Sequence, residues 1–213
     1  MNVVVVAPHP DDETIGCGGS IRLLVDRGDR VTVAFLTSGE LGIEGFAPEV
    51  VRGIRELEAE AAARLLGIAA LEFFRRTDWQ VADEHEVASE QLATVFRREE
   101  PAIVYLPHPD EWHPDHRASA GIVTAAIRKA QCGTPELRGY EVWTPLSSFD
   151  EVEDITPTMH TKLRAVRCYA SQLRAFRYDR ALRGLAAYRG ALAAKCRFAE
   201  VFSLLESPAA APE

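Results

Sequence analysis

Val3-Val4-Val5-Val6-Ala7-Pro8-His9-Pro10-Asp11-Asp12-Glu13 decides how the rest of this 213-residue chain is read. Four consecutive β-branched residues make a short, fully buried strand. The run stops abruptly in one imidazole and three carboxylates within five residues. Over residues 14–28 the period lengthens to that of a helix, through Ile21, Leu24 and Val25, behind the small residues Gly16, Gly18, Gly19 and Ser20. Strand, acidic loop, helix places the cluster at the carboxyl end of a strand, where open α/β sheets bind ligands.

His9 and Asp12 stand three positions apart, so a tight turn can aim both at one point. A neutral imidazole and a carboxylate suit a borderline cation such as Zn²⁺, and a third protein ligand leaves a position for water. Asp11 is then a spare carboxylate beside the metal, available as a base. An acidic helix cap is the simpler reading, since carboxylates stabilise helix N-termini. One acid satisfies that role, and the accumulation of His with Asp-Asp-Glu goes beyond it.

A second stretch repeats the design. After a buried strand over residues 102–106 comes Pro107-His108-Pro109-Asp110-Glu111-Trp112-His113-Pro114-Asp115-His116-Arg117, and a helix continues over 118–129. His113 and His116 again sit three apart at a helix start, and His116 supplies the third ligand that the first cluster lacks. A structural metal is the competing reading, but such sites are closed by four protein ligands and favour Cys.

Between and beyond the clusters the chain alternates strand and helix. Strands are expected over 31–36 and 71–74 and helices over 48–66 and 84–99. Helix 48–66 carries its apolar stripe at Val51, Ile54, Leu57, Ala61 and Leu65. Arg55 and Glu58 fall off that stripe and read as a surface ion pair. From Arg138 the pattern changes: strands are expected over 140–143, 152–155 and 199–202, and helices over 156–170 and 180–195. Taken together this predicts a Rossmann-like three-layer α/β/α domain with a mainly parallel sheet and a C-terminal covering segment. The expected domain spans residues 1–206, followed by a Pro/Ala-rich, frayed tail over 207–213.

Composition narrows the function. Apolar content of 47% and charged content of 26% are ordinary for a globular domain. A net charge of −8 without any basic stripe argues against nucleic acid as a partner. The first apolar run is too short for a signal peptide, and none reaches membrane length. Four scattered cysteines read as reduced thiols in a cytoplasmic protein. No Walker loop, G-x-G-x-x-G or G-x-S-x-G is present, so a nucleotide-binding reading lacks its phosphate cradle.

With both clusters in place, the chain resembles the PIG-L/LmbE-type zinc-dependent N-acetylglucosaminyl deacetylases. The likeness rests on Pro8-His9-Pro10-Asp11-Asp12-Glu13 and His113-Pro114-Asp115-His116, with support from Thr37-Ser38-Gly39-Glu40, Trp143-Thr144-Pro145, Asp154-Ile155-Thr156 and Ala199-Glu200-Val201-Phe202. The resemblance implies His9, Asp12 and His116 as ligands of zinc, with iron(II) as an alternative occupant. It implies Asp11 as general base, His113 as oxyanion stabiliser or acid, and Asp115 as the residue tuning His113. Arg55 would contact the substrate, and Asp78 would hold sugar hydroxyls. The implied partner is a small-molecule amino sugar conjugate, and a homo-oligomer is compatible with the resemblance. Where such proteins usually carry Asp two residues before the first His of H-P-D-H, this chain has Glu111, followed by the bulky Trp112. Two alternatives keep parts of this picture: an amidase acting on a thiol-sugar conjugate or another amide, and a non-catalytic sugar-binding protein with a relic site. The intact ligand set with a base beside it counts against the second.

Overall fold

The computed structural model describes residues 1–208; residues 209–213 of the expected tail lie outside the described part. Seven strands form one sheet in the order β3-β2-β1-β4-β5-β7-β6: β1 Asn2–Ala7, β2 Arg30–Thr37, β3 Ala70–Arg76, β4 Ile103–Pro107, β5 Glu136–Tyr140, β6 Glu151–Asp154 and β7 Ala199–Leu205. β1 pairs in parallel with β2 and β4, β2 with β3, and β4 with β5. β7 runs antiparallel to β5 and to β6. The mainly parallel α/β/α reading therefore holds.

The uninterrupted apolar run of β1 follows from its central place, because residues 3–7 are buried on both faces. Val3, Val5 and Ala7 pack with α1 Asp12–Asp26 and α2 Pro48–Leu66, together with α5 Met159–Val166 and α7 Tyr178–Arg189. Val4 and Val6 pack on the other face with α3 His85–Glu99 and α4 Pro114–Ala130. The chain leaves β1 toward β2 but reaches β4 on the opposite side. Their carboxyl ends flank a crevice at this topological switch point, the ligand position of doubly wound sheets. No helix among the described residues is long and apolar enough to cross a membrane.

α1 is broken at Cys17 (φ −138°, ψ 20°). Lys162 fills the break, its Nζ donating to the Ile15 carbonyl at 2.7 Å and to Glu200 Oε1 at 2.5 Å. Glu200 in turn accepts the Gly19 and Ser20 backbone N–H groups at 2.9 and 2.8 Å. The C-terminal segment thus satisfies the backbone groups that the kink exposes. It also explains the small residues of α1: a Cβ on Gly16 would stand 2.1 Å from Tyr140, and one on Gly19 would stand 2.7 Å from Ile155.

Several expectations need correction. The strand expected over 140–143 lies earlier, at β5, and Trp143 falls in the loop after it. α4 starts at Pro114 rather than 118, because His113 takes the N-cap position and Pro114 presets the first turn. Ala170 belongs not to α5 but to a separate short helix, α6 Ala170–Leu173, and α7 ends in a π-helical turn, Gly190–Ala194. The buried line of α2 runs Val51, Arg55, Ala59, Ala62, Leu66, while Leu57 is 65% exposed. Arg55 is therefore no surface residue, and Glu58 turns instead to the Ser171 backbone N–H and hydroxyl.

Candidate active site

The loop after β1 and the start of α4 meet at the crevice. His9 Nδ1 lies 3.2 Å from Asp12 Oδ2, His116 Nε2 lies 3.2 Å from the same oxygen, and the two nitrogens are 3.3 Å apart. Ligands held 2.0–2.2 Å from a tetrahedral zinc stand about 3.3–3.6 Å from one another, so this triangle has nearly the right edges for a cation. The buried Asp12 Oδ1 has no hydrogen-bond partner. Two other groups also offer three donors within 4.8 Å, His9 with His113 and His116, and His9 with Asp78 and Asp115. The Asp12 triangle has no edge longer than 3.3 Å, and its outer contacts resemble those that orient metal ligands: His9 Nε2 lies 3.0 Å from Asp78 Oδ1 and 3.3 Å from Asp115 Oδ2. Burial opposes protonation of His9, but bonds to Asp115, Asp12 and Asp78 hold its pKa well above the usual range.

Asp11 stands beside this triangle in a conformation that few side chains adopt, with φ 128°. Its backbone N–H donates to Glu13 Oε2 at 3.1 Å, and its carbonyl accepts Thr14 and Ile15 N–H at 3.0 and 2.8 Å. Such a strained residue persists only where its surroundings over-determine it. Its carboxylate accepts from Tyr178 OH at 3.2 Å and from Arg55 at 3.3 Å. Burial raises the Asp11 pKa to about 7, with Arg55 pulling it down and Asp12 and Glu13 pushing it up. A carboxylate so placed can take a proton near neutral pH. Glu13 is held from the C-terminal segment by Tyr169 OH at 2.5 Å.

His113 caps α4, and its Nδ1 accepts the Asp115 backbone N–H at 3.3 Å. In the neutral ring that leaves the proton on Nε2. Burial lowers the His113 pKa to about 4, helped by the neighbouring His9 and His116. The Asp115 carboxylate does not bond to His113: it accepts Trp79 and Val81 N–H at 2.8 and 3.2 Å and reaches His9. It acts on His113 only through its charge and backbone. Asp78 is likewise engaged, with Oδ1 on His9 and Oδ2 accepting Leu41 N–H at 3.2 Å. Arg55 donates to the Pro10 carbonyl as well as to Asp11. Both still line the cavity above the triangle.

Three residues of this site have no role in the sequence reading, although Glu111 stands out there in place of the usual Asp. Glu111 is buried, its Oε1 accepting the N–H groups of Val142, Trp143 and Thr144 at 2.8, 2.9 and 3.1 Å, and its unpartnered Oε2 lying 3.9 Å from His116 Nδ1. Tyr169 and Tyr178 reach the first cluster from more than 150 residues away. The glycine-rich start of α1 is the one local hint that other segments press against it.

Residues 4–127 match the family described as "PIG-L: GlcNAc-PI de-N-acetylase". The diacetylchitobiose deacetylase of Thermococcus kodakarensis is 34% identical over 188 residues, covering 80% of this chain and 69% of that protein. A Bacillus cereus protein named "Probable N-acetyl-alpha-D-glucosaminyl L-malate deacetylase 2" is 30% identical over 190 residues, covering 84% of this chain and 86% of its own. The structure of N,N'-diacetylchitobiose deacetylase from Pyrococcus horikoshii, solved with its inhibitor MPG, superposes with a TM-score of 0.85 at 27% identity, covering 96% of this chain and 83% of that one. With the family match spanning more than half of its length, this chain belongs to the PIG-L family.

Proposed function

We propose that this protein is a metal-dependent N-deacetylase that hydrolyses the acetamide of an N-acetylglucosamine-type sugar conjugate. The observation that carries the reading is the triangle of His9, Asp12 and His116 with the strained Asp11 beside it. Its two-nitrogen, one-oxygen donor set fits zinc, and iron(II) is the alternative. His9, Asp12 and His116 would hold the cation, which would supply Lewis acidity to the amide carbonyl and lower the pKa of a water there from about 15.7 toward ~7.

The chain's own residues supply the rest. Asp11 receives the proton of the attacking water, since its carboxylate lines the cavity beside the triangle with a pKa raised to about 7. Arg55 and Tyr178 fix that carboxylate in place. His113, with Nδ1 occupied by the Asp115 backbone, presents Nε2–H to the oxygen that becomes negative as the carbonyl is attacked. Protonated Asp11 then returns its proton to the departing amine, leaving acetate and the free amino sugar. Asp115 and Asp78 orient His9, and Glu111 faces His116.

The test is acetate release from a panel of N-acetylglucosamine conjugates, with and without a chelator. Release that stops on chelation and returns with added Zn²⁺ is expected. Full turnover in metal-free protein overturns the reading, and cleavage of larger acyl amides without acetate release moves it to the amidase alternative.

A further inference from the structure

All three tryptophans of the chain, Trp79, Trp112 and Trp143, line one cavity of about 400 Å³ above the metal-binding triangle. They are 52%, 55% and 38% exposed, and Leu41 and Phe176 extend the same apolar rim. Single exposed apolar residues need no explanation, but a contiguous set around a cavity marks a binding surface. The volume is in the range that holds a drug-sized ligand.

The backbone N–H of each tryptophan is anchored, those of Trp79 and Trp143 by carboxylates of the site. Trp79 has φ 68°, and its N–H donates to Asp115 Oδ2, the oxygen that also reaches His9. Trp143 N–H donates to Glu111 Oε1 at 2.9 Å. Trp112 N–H donates to Thr144 Oγ1 at 3.3 Å. The ring centroids of Trp79 and Trp112 lie 4.2 and 5.3 Å from that of His113 and 6.3 Å from each other. The aromatic surface therefore starts where the reacting amide would end.

Charge selects further. The lining carries the carboxylates of Asp11, Asp12 and Asp78, and its one guanidinium, that of Arg55, is 3% exposed and bonded to the Pro10 carbonyl and to Asp11. Gln172 adds only an amide. The cation of the deacetylase reading would sit at the floor, where the acetamide binds; among the described residues of the rim an acidic aglycone finds no cationic partner. A pyranose ring offers a face of C–H groups to an indole while its hydroxyls stay at the edge, in solvent.

Resting on the deacetylase reading, we infer that the tryptophan rim selects a neutral aglycone with an apolar face, a second pyranose ring, and rejects anionic aglycones. Acetate release by the metal-loaded enzyme is compared for N,N'-diacetylchitobiose and N-acetylglucosaminyl malate. The neutral disaccharide is expected to have a kcat/KM about tenfold or more higher. Trp112→Ala is expected to raise KM for the disaccharide about three- to tenfold with less change in kcat, and Trp112→Phe to recover most of the loss. Equal or better kcat/KM for the malate conjugate, or a disaccharide KM indifferent to Trp112→Ala and to Trp79→Ala, overturns the inference. Tryptophan fluorescence, titrated with the same two compounds, separates the two readings. If neither these two compounds nor any other N-acetylglucosamine conjugate of the panel releases acetate, the deacetylase reading fails. A saturable shift with the disaccharide alone still supports the rim, and a shift with the malate conjugate or with neither overturns it.

Discussion

At the floor of the cavity the acidic groups are buried and bonded to neighbouring backbone and imidazole groups, whereas at its rim the largest side chains face solvent. Asp12, Asp115 and Glu111 are at most 1% exposed, while Trp79 and Trp112 are more than half exposed. The floor is assembled from two short loops at the carboxyl ends of adjacent strands, with geometry fixed by backbone N–H donors. The rim is gathered from loops that follow β2, β3, β4 and β5, and it meets the floor through backbone anchors and through the rings of Trp79 and Trp112 against His113. On the proposed reading chemistry and selection separate: changes in the floor should act on kcat and metal content, and changes in the rim mainly on KM.

The sharpest way to break that separation is to remove a floor ligand. His116→Ala should lose bound metal, read by elemental analysis, and bring acetate release to background. A variant that stays metal-loaded and active contradicts the ligand set. Asp11→Asn should next be the most damaging: turnover about 10²–10⁴-fold lower with metal content unchanged. Near-normal kcat would remove Asp11 from its role as base. A third substitution tests whether the C-terminal segment supports the floor at a distance. Lys162→Met leaves Glu200 buried and unpaired, at a cost of about 3–5 kcal/mol. Thermal unfolding should therefore shift down by roughly 6–20 °C. An unchanged Tm would mean that the kinked helix does not depend on this pair. The smallest effect is expected for Leu57→Gln, within about ±0.5 kcal/mol, because Leu57 faces solvent. A large loss there would restore the apolar stripe read from sequence and put Arg55 back outside.

Much of the floor was legible because it is local. Val3 through Glu13 and His113 through His116 each combine a strand end, a turn and a helix start within a few residues, and the register of β1 against β4 does the rest. What stayed hidden depends on contacts without local period. Arg55 lies inside because Asp11 and the Pro10 carbonyl await it, which no stripe of apolar residues reveals. Glu111 reads as one more acid in a polar loop until residues 142–144 fold over it. The start of α4 was misplaced because Pro-Asp-His resembles loop chemistry, although Pro at a first helical position is favourable. Trp143 was assigned to a strand from alternation that the tertiary pairing of β5 overrides.

The broken first helix carries a consequence for biosynthesis. Glu200, one of the last residues placed in the sheet, caps the backbone of Gly19 and Ser20 directly behind the opening loop. A ribosome must therefore release the chain through Glu200 before the kinked helix behind that loop can acquire this support. Until then the nascent chain carries both His/Asp clusters without the contacts that brace the helix between them.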